Sequence, residues 1–196
     1  MGFDNETRNK LSSLVTQCRK LLTEEFTKQC QEIYGIQPET GEITPLDTLS
    51  RLEDKELSVA ISLRERVEYL ASNLVGKETI TIAIDRMLRE QAFTVMNRLA
   101  AMKMAESRQI IQESVSKGME SQAFQMYDTL AGSAMGEKYD RYKAFLFSMF
   151  DEIAVDLGVL FDRHSAYGLL FPREGSMKEL LSLLNQNELA SIWAED

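Results

Sequence analysis

The chain has 196 residues, with 22 Lys and Arg against 31 Asp and Glu, a formal net charge of -9 and a 44% hydrophobic content. That length suffices for one sizeable core, or one domain with a small appendage, and the composition is that of a globular protein rather than a disordered one. So acidic a surface is a poor overall match to DNA or anionic lipid, which reward a basic face.

The only cysteines, Cys18 and Cys30, fall within one helical pattern. Their separation along a helix axis is about 18 Å, too far for a disulfide. They read as reduced core or boundary residues, which fits a cytoplasmic protein. The opening MGFDNETRNK lacks the basic-then-apolar pattern of a signal peptide. Glu6 stands where an acylation signal at Gly2 would want Ser or Thr. No apolar run approaches the roughly 18–20 residues that a membrane span needs, so a soluble protein with no membrane partner is expected.

Residues 5–34 carry Leu11, Val15, Cys18, Leu22, Phe26, Cys30 and Ile33 at helical intervals, which predicts a first long helix. Asp4 or Asn5 can cap its start, and Gly35 can end it in the left-handed conformation. The loop IQPETGEITP follows, broken by Pro38, Gly41 and Pro45. It reads as a hinge after an N-terminal helical arm at 1–37. Thr44-Pro45-Leu46-Asp47 opens a short helix with proline at its first position. Residues 38–54 thus form a loop and short helix ahead of a helical body at 55–196. In that body, a helix from about Lys55 to Val75 places Leu57, Ala60, Ile61, Arg64, Val67, Leu70, Ala71 and Leu74 on one face and stops at Gly76.

The next helix, from near Glu78 or Thr79 to Arg108, is expected to be the central buried one. Its opening TITIAI is alternating and β-branched, which suits a strand, but the unbroken continuation into MLREQAF favours helix. At 100° per residue, Ile84, Met87, Leu88, Ala92, Val95, Met96, Leu99 and Met102 fill an arc of roughly 180°. A surface helix shows a narrower stripe. Gln91, Arg98 and Glu106 fall inside that arc as structural buried polar residues. A charge facing a core costs several kcal/mol unless paired, so a carboxylate from a packed helix is expected to hold Arg98. Arg86, Arg89, Lys103 and Arg108 occupy the opposite arc, interleaved with Asp85 and Glu90. They are the local candidates for contact with DNA or a partner, although interleaved acids suit a solvated face.

After Arg108, QIIQESVSKGMES is mixed enough to allow a short extended pair, with a break at Gly118. Ser121 to Leu130 is predicted helical through Phe124, Tyr127 and Leu130. Gly132 and Gly136 bound a loop. The helix Lys138 to Leu157, ended by Gly158, carries an aromatic seam of Tyr139, Tyr142, Phe145, Met149, Phe150 and Ile153, which reads as core. VLFDRHSAYGLLFP is a buried connector. Ser176-Met177-Lys178-Glu179 is a capping box that opens a helix through LLSLLN, and Asn187 caps the last turns through Leu189, Ile192 and Trp193. The fold class expected is all-α, an irregular multi-helix array around a central buried helix.

Missing residues say more about chemistry than those present. The ten glycines include no pair one residue apart, as a dinucleotide or S-adenosylmethionine turn requires. The one Gly-Lys, Gly76-Lys77, is followed by Glu rather than Ser or Thr. His164 is the only histidine, so a metal site of His and Cys cannot be built. Next to Asp162 and Arg163, it reads as a hydrogen-bonded structural residue. Glu152 and Asp156 share a helix face close to Asp151. That spacing can hold a cation in helical bundles, but the accompanying Glu-x-x-His is absent. No nucleophile–base pair can be assembled. Catalytic, cofactor-binding and metal-binding residues are therefore expected to be none.

Three segments taken in order carry a resemblance: REQAFTVMNRLAAMKMAESR (Arg89 to Arg108), QESVSKGMESQAFQMY (Gln112 to Tyr127) and LFSMFDEIAVDLGVLFDRHSAYGLLFP (Leu146 to Pro172). With the late Leu-rich stretch and the Ile192-Trp193-Ala194-Glu195-Asp196 ending, they resemble the N-terminal region of large adenine-specific DNA methyltransferases. The similar group is the PglX-type enzymes of BREX phage defence, with related fused restriction–modification methyltransferases. The resemblance spans Leu46 to Asp196. It implies a helical region preceding a catalytic domain that binds S-adenosylmethionine and methylates a flipped adenine, positioned by an Asn/Asp-Pro-Pro-Tyr/Phe motif. Here the prolines are Pro38, Pro45 and Pro172, never adjacent, so no catalytic or cofactor residue carries over. The implied role is a non-catalytic module that braces a downstream methyltransferase domain or contacts DNA or other defence-system subunits, the cofactor belonging to the parent enzyme. Two other readings compete: a free-standing acidic helical interaction or regulatory protein, and a DNA-binding domain acting by itself.

Overall fold

The structure, a computed structural model, describes residues 4–76, 79–132 and 135–194. Gly2, Lys77, Glu78, Glu195 and Asp196, which figure in the sequence reading, lie outside the described residues. Among those described the fold is all-α: α1 (Asn5–Glu32), α2 (Asp54–Ser72), α3 (Thr79–Ser107), α4 (Gln122–Ala131), α5 (Lys138–Phe161), α6 (Glu174–Leu184) and α7 (Ala190–Ala194). The β-pairing found among them is one isolated bridge between Ile36 and Ile43. The TITIAI run is helical, so continuity into an apolar helical period outweighed its β-branched character. The extended pair allowed after Arg108 is replaced by bends and a short 3-10 helix at Gly118–Glu120.

The chain divides into two compact units. One comprises Met1–Lys20, Met96–Arg163 and Arg173–Asp196; the other comprises Leu21–Val95 and His164–Pro172. The divisions fall inside α1 and α3, so each of these helices contributes residues to both.

In the first unit, Asp4 Oδ1 accepts the Thr7 amide at 2.7 Å, one of the orphan donors at the start of α1. In the second unit, α1 delivers Leu22, Phe26 and Cys30, all fully buried. Gly35, at φ +63°, provides the left-handed residue after the helix. The following loop closes on itself through Thr44 N to Gly35 O at 2.8 Å and Gln37 N to Glu42 O at 2.8 Å. Arg64 of α2 fixes it, donating from Nη2 to the Tyr34 and Thr44 carbonyls, each at 2.8 Å. Pro45 sits one residue ahead of a 3-10 turn (Leu46–Thr48) rather than at the first helical position. α2 buries Ala60, Leu63, Val67 and Leu70. Leu63 was not on the expected face and Ile61, which was, lies on the exposed side, a rotation of the apolar arc. α2 ends at Ser72, ahead of Gly76, where the Asn73 side chain takes the Tyr69 carbonyl.

In the first unit, Ser121 caps α4 by accepting the Phe124 amide. Phe124 packs edge-on against Tyr142 with ring centroids 5.2 Å apart. Tyr142, Phe145 and Phe150 of the aromatic seam are buried core. Leu130, by contrast, is exposed. α5 does not stop at Gly158. Leu157 leaves helical geometry (φ -123°, ψ 45°), and the helix then resumes to Phe161. Gly158 marks the kink rather than the end. Likewise α6 starts at Glu174, with Arg173 in extended geometry just after Pro172. Ser176 is therefore inside the first turn, and the capping box expected at Ser176–Glu179 does not define the start. Trp193 is buried and its Nε1 donates to the Leu184 carbonyl at 3.0 Å.

Candidate functional site

The apolar arc read for α3 is buried throughout: Ile84, Met87, Leu88, Ala92, Val95, Met96, Leu99 and Met102 are each at most 6% exposed. Each of its three polar intruders reaches to backbone outside α3: Gln91 and Glu106 to loops, Arg98 to the last turn of α5 and the residue after it.

Gln91, fully buried, uses both ends of its amide. Its Oε1 accepts the Leu169 and Leu170 amides at 2.7 and 3.0 Å, and its Nε2 donates to the Ala166 carbonyl at 2.7 Å. The connector after α5 has no helical ladder of its own, and one side chain supplies part of what it lacks. Nearby, Gln29 Nε2 donates to the Phe171 carbonyl at 2.9 Å and to Glu25 Oε1 at 2.7 Å. Both residues are buried.

Arg98, 2% exposed, sends Nε to the Leu160 carbonyl and Nη2 to the Asp162 carbonyl, each at 2.7 Å. These are carbonyl oxygens at the C-terminal end of α5, where the helix has no further amides to offer and where a cation is favoured by the peptide dipoles. Burial pushes the guanidinium below its ordinary value; the negative charge of Asp162 opposes that and Arg163 adds to it. Where a carboxylate on a packed helix was expected, these two bonds go to main-chain carbonyls, and the Asp162 charge acts from the residue just after α5. The guanidinium also lies 5.6 Å from the Phe150 ring centroid.

Glu106, half-buried rather than buried as expected, completes the series in the last turn of α3. Its carboxylate accepts from the backbone of Ser114, Val115 and Ser116 and from both serine hydroxyls.

The basic residues do not act as a set. Arg86 is exposed, and Arg89 pairs with Asp85 at 2.9 Å on the same helix, both largely solvated. Arg108 is exposed. Lys103 turns inward, its Nζ donating to Ser116 Oγ at 2.7 Å and Asn185 Oδ1 at 2.6 Å. Its burial lowers the ammonium's proton affinity, with Glu106 and Glu113 countering. Lys103 on the polar arc was read as a surface group, but its four-carbon stem lets the charge swing back. Arg163 pairs with Asp151 through two bonds of 2.7 and 2.6 Å. His164 is exposed. Cys18 and Cys30 are buried, and burial pushes their thiols up to about 11 and about 12. Among the described residues no group of three or more His, Cys, Asp or Glu is placed to hold a metal ion, and no helix is long and apolar enough to cross a membrane.

Sequence reasoning missed Arg64, Gln29, Tyr142 and Asn185 as polar anchors. Arg64 stood out as a charge on an otherwise apolar face, the same signal that exposed Arg98. The others are ordinary in composition, and only their partners in space distinguish them.

Together these features define an all-α protein whose connecting segments are tied to helices by buried polar side chains. Comparison with family models, curated proteins and solved structures returns no match.

Proposed function

We propose that this chain is the non-catalytic helical module at the N-terminal side of an adenine-specific, S-adenosylmethionine-dependent DNA methyltransferase of a phage-defence or restriction–modification system. It braces the catalytic domain and presents surface to partner subunits. One observation supports this reading above the others. Of the three segments that carry the resemblance, the first holds Gln91, Arg98 and Glu106 of α3, and the other two are those these side chains tie down. Glu106 holds Ser114 to Ser116, Arg98 holds Leu160 and Asp162, and Gln91 holds Ala166 to Leu170. Polar side chains bonded to backbone in this way fix the course of connecting segments, as a module selected for shape requires. Calorimetric titration of the isolated chain with S-adenosylmethionine, beside a methylation assay on adenine-containing duplex, tests it. Neither binding nor methyl transfer is expected. Tight cofactor binding or methyl transfer by these 196 residues would remove the reading.

A second reading, an acidic interaction protein that works by itself, is favoured by one face of α5. There Val155 is 84% exposed beside Glu152 and Asp156, both on the surface. Exposed apolar side chains flanked by carboxylates suit a basic amphipathic partner. Limited proteolysis and pull-down separate the two: the module binds a methyltransferase domain supplied in trans, the free-standing protein a different one.

A further inference from the structure

Directly after α3 the chain reverses through Gln109, whose φ of 58° is left-handed, and comes back past the helix end. The returning strand of loop aims five donors at one carboxylate. Glu106 Oε1 accepts from Ser114 N and Ser114 Oγ, each at 2.7 Å, and from Val115 N. Oε2 accepts from Ser116 N at 3.0 Å and Ser116 Oγ at 2.5 Å. Three successive amides converging on one spot make a concavity of positive potential, the arrangement proteins use to seat anions. Lys103, one turn earlier, adds its charge, bonded to Ser116 Oγ.

The loop keeps this shape through bonds that do not involve Glu106. Tyr142 Oη donates to the Ser114 carbonyl at 2.9 Å, and Asn185 Nδ2 donates to the Val115 carbonyl at 3.1 Å. With its carbonyls drawn to one side, the loop leaves its amides facing the other. The donors are therefore organised before any anion arrives, which is the condition for a site rather than a chance contact.

We propose that residues 114–116 form an oxyanion-binding nest and that Glu106 is its tethered ligand. Once that side chain is cut back, the same donors take a small free carboxylate such as formate or acetate. In the unaltered protein the tethered group excludes them, because its local concentration far exceeds that of a dissolved anion. This holds whether or not the chain belongs to a methyltransferase.

The test compares thermal unfolding of Glu106→Ala and wild type in sodium formate and in sodium chloride of equal ionic strength. A ligand that binds only the folded state raises its stability. The variant should gain about 3–6 °C in Tm in formate relative to chloride at roughly ten times the dissociation constant, and wild type should gain nothing. No formate-specific gain in a folded variant, or an equal gain in wild type, overturns the proposal. Should the variant not fold in chloride, refolding it in formate decides. Recovery of the folded state in formate and not in chloride of equal ionic strength is expected; no recovery overturns the proposal.

Discussion

Arg98 Nη2 lies 2.7 Å from the carbonyl oxygen of Asp162, 64 residues further along the chain. Together with the Nε bond to Leu160, it closes the end of α5 with a side chain from α3. Replacing Arg98 with Met keeps the stem but takes the donors from two carbonyls, those of half-buried Leu160 and exposed Asp162. Such losses cost about 1–3 kcal/mol per group, so Arg98→Met should destabilise by about 2–4 kcal/mol. Arg98→Lys, a single point charge in place of a planar fork, should fall between. Urea unfolding measures both, and a loss below the scatter for Met would remove Arg98 from this role.

Gln91 offers a finer test, because its two ends do different work. Gln91→Leu removes the acceptor for the Leu169 and Leu170 amides and the donor to Ala166. Hydrogen exchange at those two amides should quicken by at least tenfold, the factor corresponding to about 1.4 kcal/mol of lost protection. Exchange at amides in the middle of α1 should stay as it was.

The cysteines report on the two units separately, since Cys18 belongs to one and Cys30 to the other. Both thiols should resist a disulfide reagent in the native protein and react once the unit around each opens. The same burial links them to pH. Their folded-state pKa values, about 11 and about 12, stand above a thiol's ordinary 9.0. Between these limits the unfolded chain has lost protons that the folded one still holds, so stability falls as pH rises. The contribution is fully present below about 9 and is lost by about 12. Cys18→Ala with Cys30→Ala should flatten that alkaline decline; an unchanged slope would assign it to other groups such as Tyr34, which burial also pushes up to about 12.

Arg86 and Lys103 looked alike in the sequence and should behave differently. Arg86→Gln, at an exposed position, should alter stability by no more than about 0.5 kcal/mol. Lys103→Met removes two donors from Ser116 and Asn185 and should cost about 1–3 kcal/mol. Equal effects in denaturant titrations would contradict the inward placement of Lys103.

The α3 arc was legible because apolar period and burial are the same fact seen twice, and Gln91, Arg98 and Glu106 stood out as exceptions to it. Their partners were not legible. Backbone amides and carbonyls occur at every position, so nothing in the sequence marks Leu160, Ser114 or Leu169 as an acceptor or donor. The end of α5 failed for a related reason. Gly158 is a fair stop signal, yet buried Phe161 and the grip of Arg98 on Leu160 and Asp162 accompany another turn beyond the kink. At α6 the helix starts two residues ahead of the Ser176–Glu179 pattern, directly after extended Arg173, which has the backbone geometry of an N-cap without its usual side chain.

The central claim is that these helices form a supporting body whose chemistry belongs to further polypeptide, and the intact mass of the protein from its native source tests it most directly. The account predicts a product well above the 22.3 kDa of these residues, with an Asn/Asp-Pro-Pro-Tyr/Phe motif in the additional sequence. A native product of 22.3 kDa would contradict it.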